Sequence, residues 1–148
     1  MRELPRQLSA DELAELFEGR TTLVERLAER EDPLGSAAEE VVAVLTDDER
    51  IEALNAHPQI GARSGLSARS AAEQGTDSDP AVLSELAYLN QVYEEKFGFR
   101  FVVFVGGRPK AAILDVLRER LARTREQELD TAVRELVAIA RDRWTRTT

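Results

Sequence analysis

The chain has 148 residues, of which 43% are hydrophobic and 32% charged, as is ordinary for a soluble globular domain. Its net charge of −8 argues against a nucleic-acid-binding protein, which needs a basic surface, and the lack of cysteine excludes disulfides and thiolate chemistry. The longest apolar run, FVVFV at 101–105, is too short to cross a membrane, and the N-terminus has no apolar signal core. We therefore expect one cytoplasmic domain over 1–148 that binds neither nucleic acid nor membranes.

The N-terminal part of the chain predicts four short helices. Capping-box patterns, in which Ser or Thr precedes Glu by three residues, mark two of the helix starts, SADE at 9–12 and TDDE at 46–49. The first of these helices is expected to stop at Gly19. The other two helices are expected over 22–30 and from Ser36 onward.

The C-terminal part predicts three longer helices and one extended stretch. A helix is expected over 80–97, and Gly98 should end it. The stretch FRFVVFV at 99–105 is β-branched and aromatic, which favours an extended backbone, but no second such stretch offers a partner strand. Pro109 opens the next helix, and TREQ at 124–127 caps the last one. The predicted fold is an all-α, single-domain bundle of about seven to eight helices with one lone extended segment, 99–105.

His57 is the only histidine, and it comes at the end of the fourth predicted helix, directly before Pro58. Proline disfavours helical backbone in the residue before it, so the His57 ring should not be locked into a helical face. Because imidazole suits proton transfer at neutral pH, His57 is a candidate acid–base catalyst. The alternative is a helix-end histidine that only interacts favourably with the helix dipole.

Residues 59–79 are rich in Gly, Ser and Ala and predict a connection with one short helix over 70–74. Ser70 and Glu73 form another capping-box pattern there, which would explain both residues without any function. The functional alternative uses the same geometry. Helix N-termini present unpaired N–H groups to anions, and Glu73 in the first turn could face a ligand.

Arg143 interrupts the apolar face of the last predicted helix. At 100° per residue, that face consists of Leu129, Ala132, Val133, Leu136, Ile139, Ala140 and Trp144. An arginine on such a face needs a carboxylate or an anionic ligand, unless it is a snorkelling side chain at a frayed helix end. Arg134 and Arg141 fall outside the face and are expected to be solvated.

The lone extended segment 101–105 raises a question of backbone hydrogen bonding. Its N–H and C=O groups need partners, because a single stretch cannot pair with itself. A ligand rich in N–H and C=O groups could provide them, and so could a neighbouring loop. The sequence leaves both possibilities open.

Five short stretches together resemble the 2-oxo-4-hydroxy-4-carboxy-5-ureidoimidazoline (OHCU) decarboxylase family of uric acid degradation. They are NAHPQIG (55–61), SAAEQ (70–74), LNQVYEEKFGFRFVVFV (89–105), ILDVLRERL (113–121) and IARDR (139–143). Each is weak alone, but their order and spacing through the C-terminal two-thirds of the chain are fairly specific. The N-terminal third matches only in its helical character.

The resemblance implies an all-α decarboxylase, usually a homodimer, that forms (S)-allantoin from a small ureidoimidazoline substrate. It also implies that no metal and no organic cofactor is needed. With one histidine and no cysteine, the chain offers no histidine- or cysteine-based ligand set for a metal. His57 matches the catalytic histidine, Glu73 the glutamate that works with it, and Arg143 the arginine that binds the substrate's oxygens. The substrate-binding positions correspond to Pro58, Ser70, Gln74 and the backbone of Phe101, Val102, Val103, Phe104 and Val105.

Three features depart from the family's usual pattern. Arg100 stands where proline is usual, and Gly106 precedes Gly107 where arginine is usual. GTDSD at 75–79 replaces an alanine-glycine-hydrophobic stretch. These changes affect the 99–107 segment and the loop behind the expected site, but none removes a proposed catalytic residue.

Two alternative functions are compatible with the sequence. One is a non-catalytic helical interaction module, supported only by amphipathic helices and surface charge. The other is an enzyme of the same fold that acts on a related ureido or imidazoline compound. Convergence of His57, Glu73 and Arg143 on one pocket would favour an enzyme, and scattered side chains would favour the interaction module.

Overall fold

The structure is a computed structural model that describes residues 3–58 and 79–146. Within those ranges the backbone forms seven α-helices and no β-strand, which confirms the predicted all-α class. In chain order the helices are α1 (Ala10–Phe17), α2 (Thr22–Ala28), α3 (Ser36–Val44), α4 (Asp47–Asn55), α5 (Pro80–Phe97), α6 (Lys110–Leu121) and α7 (Arg125–Arg146). The short helix predicted over 70–74 lies outside the described residues.

Side-chain caps start the helices where the sequence predicts them. In α1 the Ser9 hydroxyl accepts from the Glu12 N–H at 3.1 Å, and the Glu12 carboxylate accepts from the Ser9 N–H at 3.1 Å. Thr46 and Glu49 form the same reciprocal pair at α4. The Thr46 N–H bond holds the pKa of Glu49 below its ordinary value. The bond from the Thr46 N–H to the Glu49 carboxylate therefore contributes fully above the unfolded pKa of Glu49, and this contribution is lost as the pH falls through the folded value.

Three helices end earlier than the sequence predicts. Helix α1 ends at Phe17, and Glu18 rather than Gly19 takes the left-handed conformation, with φ 66°. Helix α2 ends at Ala28 instead of residue 30, and α4 ends at Asn55, so that His57 lies just beyond it. Turn signals in a sequence locate a helix end only to within a residue or two, because terminal turns fray.

Helix α7 is the central element of the bundle. Helices α1 and α4 pack directly against it, α2 joins α1, α3 and α4, and α5 packs against α6. The predicted apolar face of α7 is buried apart from Trp144, which is half-exposed and donates from its indole N–H to the Glu3 carbonyl at 2.7 Å. Burial of this face stabilises the fold, because apolar area removed from water contributes about 25 cal/mol per Å².

The extended segment 99–105 is a buried connection between α5 and α6. Phe99 and Phe101 insert into a cluster of aromatic rings with Tyr93 and Phe97, in which neighbouring ring centroids lie 4.6–6.1 Å apart. Tilted and edge-to-face aromatic pairs of this kind add to the stabilisation from burial. The aromatic residues that favour an extended backbone thus also fix this segment in the core.

A buried ionic cluster lies beside the aromatic rings. The Glu128 carboxylate, which is fully buried, accepts from the Tyr93 hydroxyl at 2.6 Å, from Arg120 Nε at 2.7 Å and from Arg123 NH1 at 3.0 Å. Arg120 also donates to the Val102 carbonyl at 2.7 Å. Burial, together with the bond to Glu128, raises the pKa of Tyr93, so its hydroxyl stays protonated and remains a donor. The cluster therefore supplies one of the backbone partners that the extended segment needs.

Replacing Glu128 by Gln should destabilise the protein by about 3–5 kcal/mol, because it leaves the buried Arg120 guanidinium without its compensating charge. The free energy of unfolding from urea titration measures this loss. Glu126→Gln is the matched control, since Glu126 lies in the same first turn of α7 but is exposed. A Glu128→Gln protein within about 1 kcal/mol of the parent would show that the ion pair contributes little.

Candidate functional site

His57 lies two residues beyond the last residue of α4, close to the helix end where the sequence places it. Its backbone N–H donates to the Leu54 carbonyl at 3.1 Å. The residue is only 8% exposed, so its ring faces the interior of the bundle.

Arg143 meets His57 from the last turns of α7. The residue is 2% exposed, and its NH2 atom lies 3.5 Å from His57 Nε2. The burial rules out the snorkelling alternative and places the guanidinium on the inner face, as the helical periodicity predicts. The structure thus brings together two of the three residues that the resemblance assigns to catalysis.

The contacts of the imidazole ring indicate its tautomer. A guanidinium can only donate, so Nε2 takes the acceptor role toward Arg143. On the other side, Nδ1 lies 3.3 Å from the Pro58 carbonyl oxygen, which can only accept. The two contacts favour the tautomer with its proton on Nδ1 and the Nε2 lone pair directed toward Arg143.

Glu18 is a site residue that the sequence reasoning missed. Its Oε1 lies 3.0 Å from Arg143 NH1, which also donates to the Leu16 carbonyl at 2.9 Å. The left-handed backbone of Glu18 directly after α1 places this carboxylate against α7. A buried cation does predict a carboxylate partner, but the sequence could not indicate which of 28 acidic residues provides it.

The backbone of the segment 101–105 finds partners in side chains and in the loop that follows it, where the Arg108 N–H donates to the Val105 carbonyl at 3.1 Å. Besides the Arg120 bond, Glu135 accepts from the Phe104 N–H at 3.3 Å, and Arg108 donates to the Phe104 and Val105 carbonyls at 2.5 and 3.0 Å. Among the residues that the structure describes, no hydrogen bond reaches the backbone groups of Phe101 or Val103. Part of the segment is therefore still available to a partner outside the described residues.

The remaining predicted site residues divide into two groups. Pro58 lies beside the histidine ring, since its carbonyl contacts Nδ1. Ser70, Glu73 and Gln74 lie outside the described residues. Over residues 3–58 and 79–146, no group of three or more His, Asp or Glu side chains is arranged to hold a metal ion.

The expectation that Arg141 is solvated is wrong. Arg141 is half-buried, and its guanidinium donates to the Leu34 carbonyl and, at 3.3 Å, to the Gly35 carbonyl. It tethers the α2–α3 connection to α7, which helical periodicity within one helix cannot reveal. Arg134 is exposed as expected and, within the part of the chain that the structure describes, pairs with Asp130 at 3.0 Å.

Residues 2–145 of the chain match the family model described as OHCU decarboxylase. A 2-oxo-4-hydroxy-4-carboxy-5-ureidoimidazoline decarboxylase of Halalkalicoccus jeotgali is 32% identical over 113 residues, which cover 74% of this chain and 64% of the relative. The uric acid degradation bifunctional protein TTL of Arabidopsis thaliana is 38% identical over 98 residues, 60% of this chain and 30% of that protein. The chain thus spans 30–64% of the length of these relatives.

The fold is also similar to that of solved structures. A crystal structure of OHCU decarboxylase in the presence of (S)-allantoin superposes with a TM-score of 0.74 at 26% identity, covering 89% of this chain and 94% of that one. A crystal structure of (S)-allantoin synthase superposes with a TM-score of 0.66 at 26% identity, over 90% of this chain and 47% of the other. The family model, the relatives and the fold agree, and the chain belongs to the OHCU decarboxylase family.

Proposed function

We propose that this protein decarboxylates 2-oxo-4-hydroxy-4-carboxy-5-ureidoimidazoline to (S)-allantoin in the degradation of uric acid. The observation that carries the proposal is the buried contact between His57 Nε2 and the Arg143 guanidinium. In addition, a relative is named as the decarboxylase of this compound, and a similar structure was solved in the presence of (S)-allantoin. A buried histidine within reach of a guanidinium is a combination that catalytic sites use for proton transfer next to an anion-binding group.

The reaction needs no external electron acceptor. The substrate's carboxylate sits on a carbon next to an imine-like ring system, so the electron pair of the breaking C–C bond moves into the ring as carbon dioxide leaves. That pair is then quenched by a proton delivered to one face of the ring. The protein's tasks are to orient and desolvate the carboxylate and to supply the proton from a fixed direction.

His57 is the proton carrier in this proposal. Its Nε2 lone pair is suited to take a proton from the substrate and return it to the carbon that has lost carbon dioxide. An anionic substrate bound at the Arg143 guanidinium would lie next to the ring that takes up the proton.

Arg143 is the anchor for the substrate's oxygens. Because NH1 is held by Glu18 and the Leu16 carbonyl, the orientation of NH2 on the side of His57 is fixed. A protein with a net charge of −8 that binds an anion needs such a local cation. Glu73, Ser70 and Gln74 are proposed to complete the pocket, with Glu73 orienting His57 or accepting a substrate proton.

Further parts of the expectation stay predictions. The homodimer and the backbone contacts of 101–105 to the substrate rest on the resemblance, and the cytoplasmic location rests on the sequence alone. None of the described helices is long and apolar enough to cross a membrane. The interaction-module alternative expected scattered polar side chains, whereas His57 and Arg143 meet in one buried cluster with Glu18.

His57→Asn should fold like the parent and lose nearly all decarboxylation above the spontaneous rate, because no second histidine can replace it. The assay uses freshly generated substrate and follows (S)-allantoin by circular dichroism. Thermal unfolding checks that the variant is intact. A variant that keeps most of the parent's kcat would remove His57 from the mechanism.

Arg143→Lys should lower kcat/KM by at least about tenfold, equivalent to ~1.4 kcal/mol of transition-state stabilisation. The reason is that a lysine ammonium lacks the planar set of donors with which a guanidinium can bind Glu18 and the substrate's oxygens together. Arg134→Lys is the control on the same helix, since Arg134 is exposed and pairs with Asp130. Arg141 is unsuitable because it binds the α2–α3 connection. Equal kcat/KM for parent and Arg143→Lys would leave the site without its proposed anion anchor.

Glu73→Gln separates a catalytic glutamate from a helix cap. Glutamine can keep the capping-box hydrogen bond, so a purely capping residue would retain both melting temperature and turnover. A catalytic carboxylate predicts a parent-like melting temperature with a large fall in kcat. Glu73→Ala calibrates the cap itself, whose loss should cost about 1 kcal/mol of unfolding free energy. Full activity in Glu73→Gln would assign the residue to capping alone.

A further inference from the structure

Arg100 connects the segment 99–105 with the main chain of the candidate catalytic histidine. Its NH1 donates to the His57 carbonyl at 2.5 Å and to the Asn55 carbonyl at 3.3 Å. Its backbone N–H donates to the Asn55 side-chain oxygen at 3.0 Å. On the other side of the guanidinium, Nε donates to the Glu94 carboxylate of α5 at 3.2 Å.

The C-terminus of α4 needs such a partner. The last carbonyls of a helix have no donor within the helix, and a cation there also interacts favourably with the helix dipole. The last turn of α4 contains no basic residue of its own, and Pro58 has no N–H to contribute. Arg100, more than 40 residues later in the chain, supplies both the donors and the charge.

The Glu94 contact gives the guanidinium a fixed orientation. Glu94 lies on α5, a helix of 18 residues, and its carboxylate holds Nε while NH1 reaches the α4 end. The His57 main chain is thereby tied to α5 through Arg100, independently of the contact between the His57 ring and Arg143. Two anchors on different atoms of one residue restrict both its position and its ring orientation.

We propose that Arg100 is a positioning residue for His57: by holding the His57 carbonyl it keeps the ring's Nε2 directed at Arg143. The effect on turnover rests on the proposed function, whereas the effect on the ring does not. Displacements of about 1 Å in a catalytic group can lower rates by about a hundredfold, so loss of one backbone anchor should be measurable.

The ring itself provides the first test. Because His57 is the only histidine, the imidazole ¹⁵N and ¹³C–¹H resonances of the ligand-free protein report on this one site. The parent should show the tautomer with its proton on Nδ1. In Arg100→Ala the ring signals should broaden or move toward the opposite tautomer, because the Pro58 and Arg143 contacts are no longer held together. Arg100→Lys should restore the parent's signals in part, since it keeps a charge but cannot reach both Glu94 and the carbonyls.

Kinetics provide the second test. Arg100→Ala should lower kcat by roughly tenfold or more and change KM much less, because the guanidinium contacts the backbone of His57 rather than the substrate. Glu94→Gln should act in the same direction but more weakly. The control is Arg118→Ala. Arg118 is an arginine on the surface of α6, where two carboxylates, Glu85 and Asp115, hold its guanidinium. This variant should leave the ring spectrum and kcat unchanged.

The outcomes separate the two proposals. Ring signals of Arg100→Ala that superpose on the parent's overturn the positioning role, whatever the activity. If the parent is active and Arg100→Ala changes the ring signals but not kcat, the contribution of Arg100 to the reaction is overturned. A parent with no decarboxylase activity but with altered ring signals in Arg100→Ala contradicts the proposed function and leaves the positioning of His57 supported. If Arg100→Ala fails to fold by circular dichroism, Arg100→Lys and Glu94→Gln are judged by the same criteria.

Discussion

The candidate site depends on compensation of one buried positive charge. A guanidinium that is 2% exposed on the inner face of α7 would destabilise the fold by several kcal/mol if it stood alone, and Glu18 supplies the opposite charge at 3.0 Å. That contact requires α1 to end against α7 and requires a carboxylate at its end. Once the guanidinium is fixed on one side by Glu18 and the Leu16 carbonyl, its other nitrogen can face His57.

Helix α7 carries buried charge at both ends, with opposite signs. Glu128 is in its first turn and Arg143 in its last, so each has the sign that the helix dipole favours at that end. The two clusters differ in composition. Glu128 is surrounded by three donors and closes off the aromatic core, whereas Arg143 is shared between a carboxylate and a histidine ring. The first arrangement stabilises the fold, and the second leaves a proton acceptor beside a cation.

Local rules in the sequence predicted the parts of the structure that local chemistry determines. The capping boxes at 9–12 and 46–49 start α1 and α4, and Pro58 places His57 outside the helix. Helical periodicity found the burial of Arg143, because the pattern lies within a single helix. These are interactions over a few residues, which a sequence displays directly.

Long-range partners could not be predicted in the same way. Glu18 and Arg143 are more than 120 residues apart, and Arg141 meets the α2–α3 connection over a similar separation. In the sequence, Glu128 lies next to the apolar face of α7 and has the pattern of an ordinary acidic residue in a first helical turn, although it is fully buried. In each case the sequence indicates that a charge needs a partner. The packing of the helices determines which residue provides that partner.

The left-handed backbone of Glu18 has a consequence for how this protein can be stabilised. At a helix end with φ 66°, glycine is ordinarily the better residue, and introducing it relieves about 1 kcal/mol of strain. Here the same exchange removes the carboxylate from a buried guanidinium, a loss of about 3–5 kcal/mol. The second effect is the larger, so a design rule that raises the stability of many proteins would lower it at this position. Glutamate is therefore the better residue at position 18 both for thermostability and for the site, although the local backbone favours glycine.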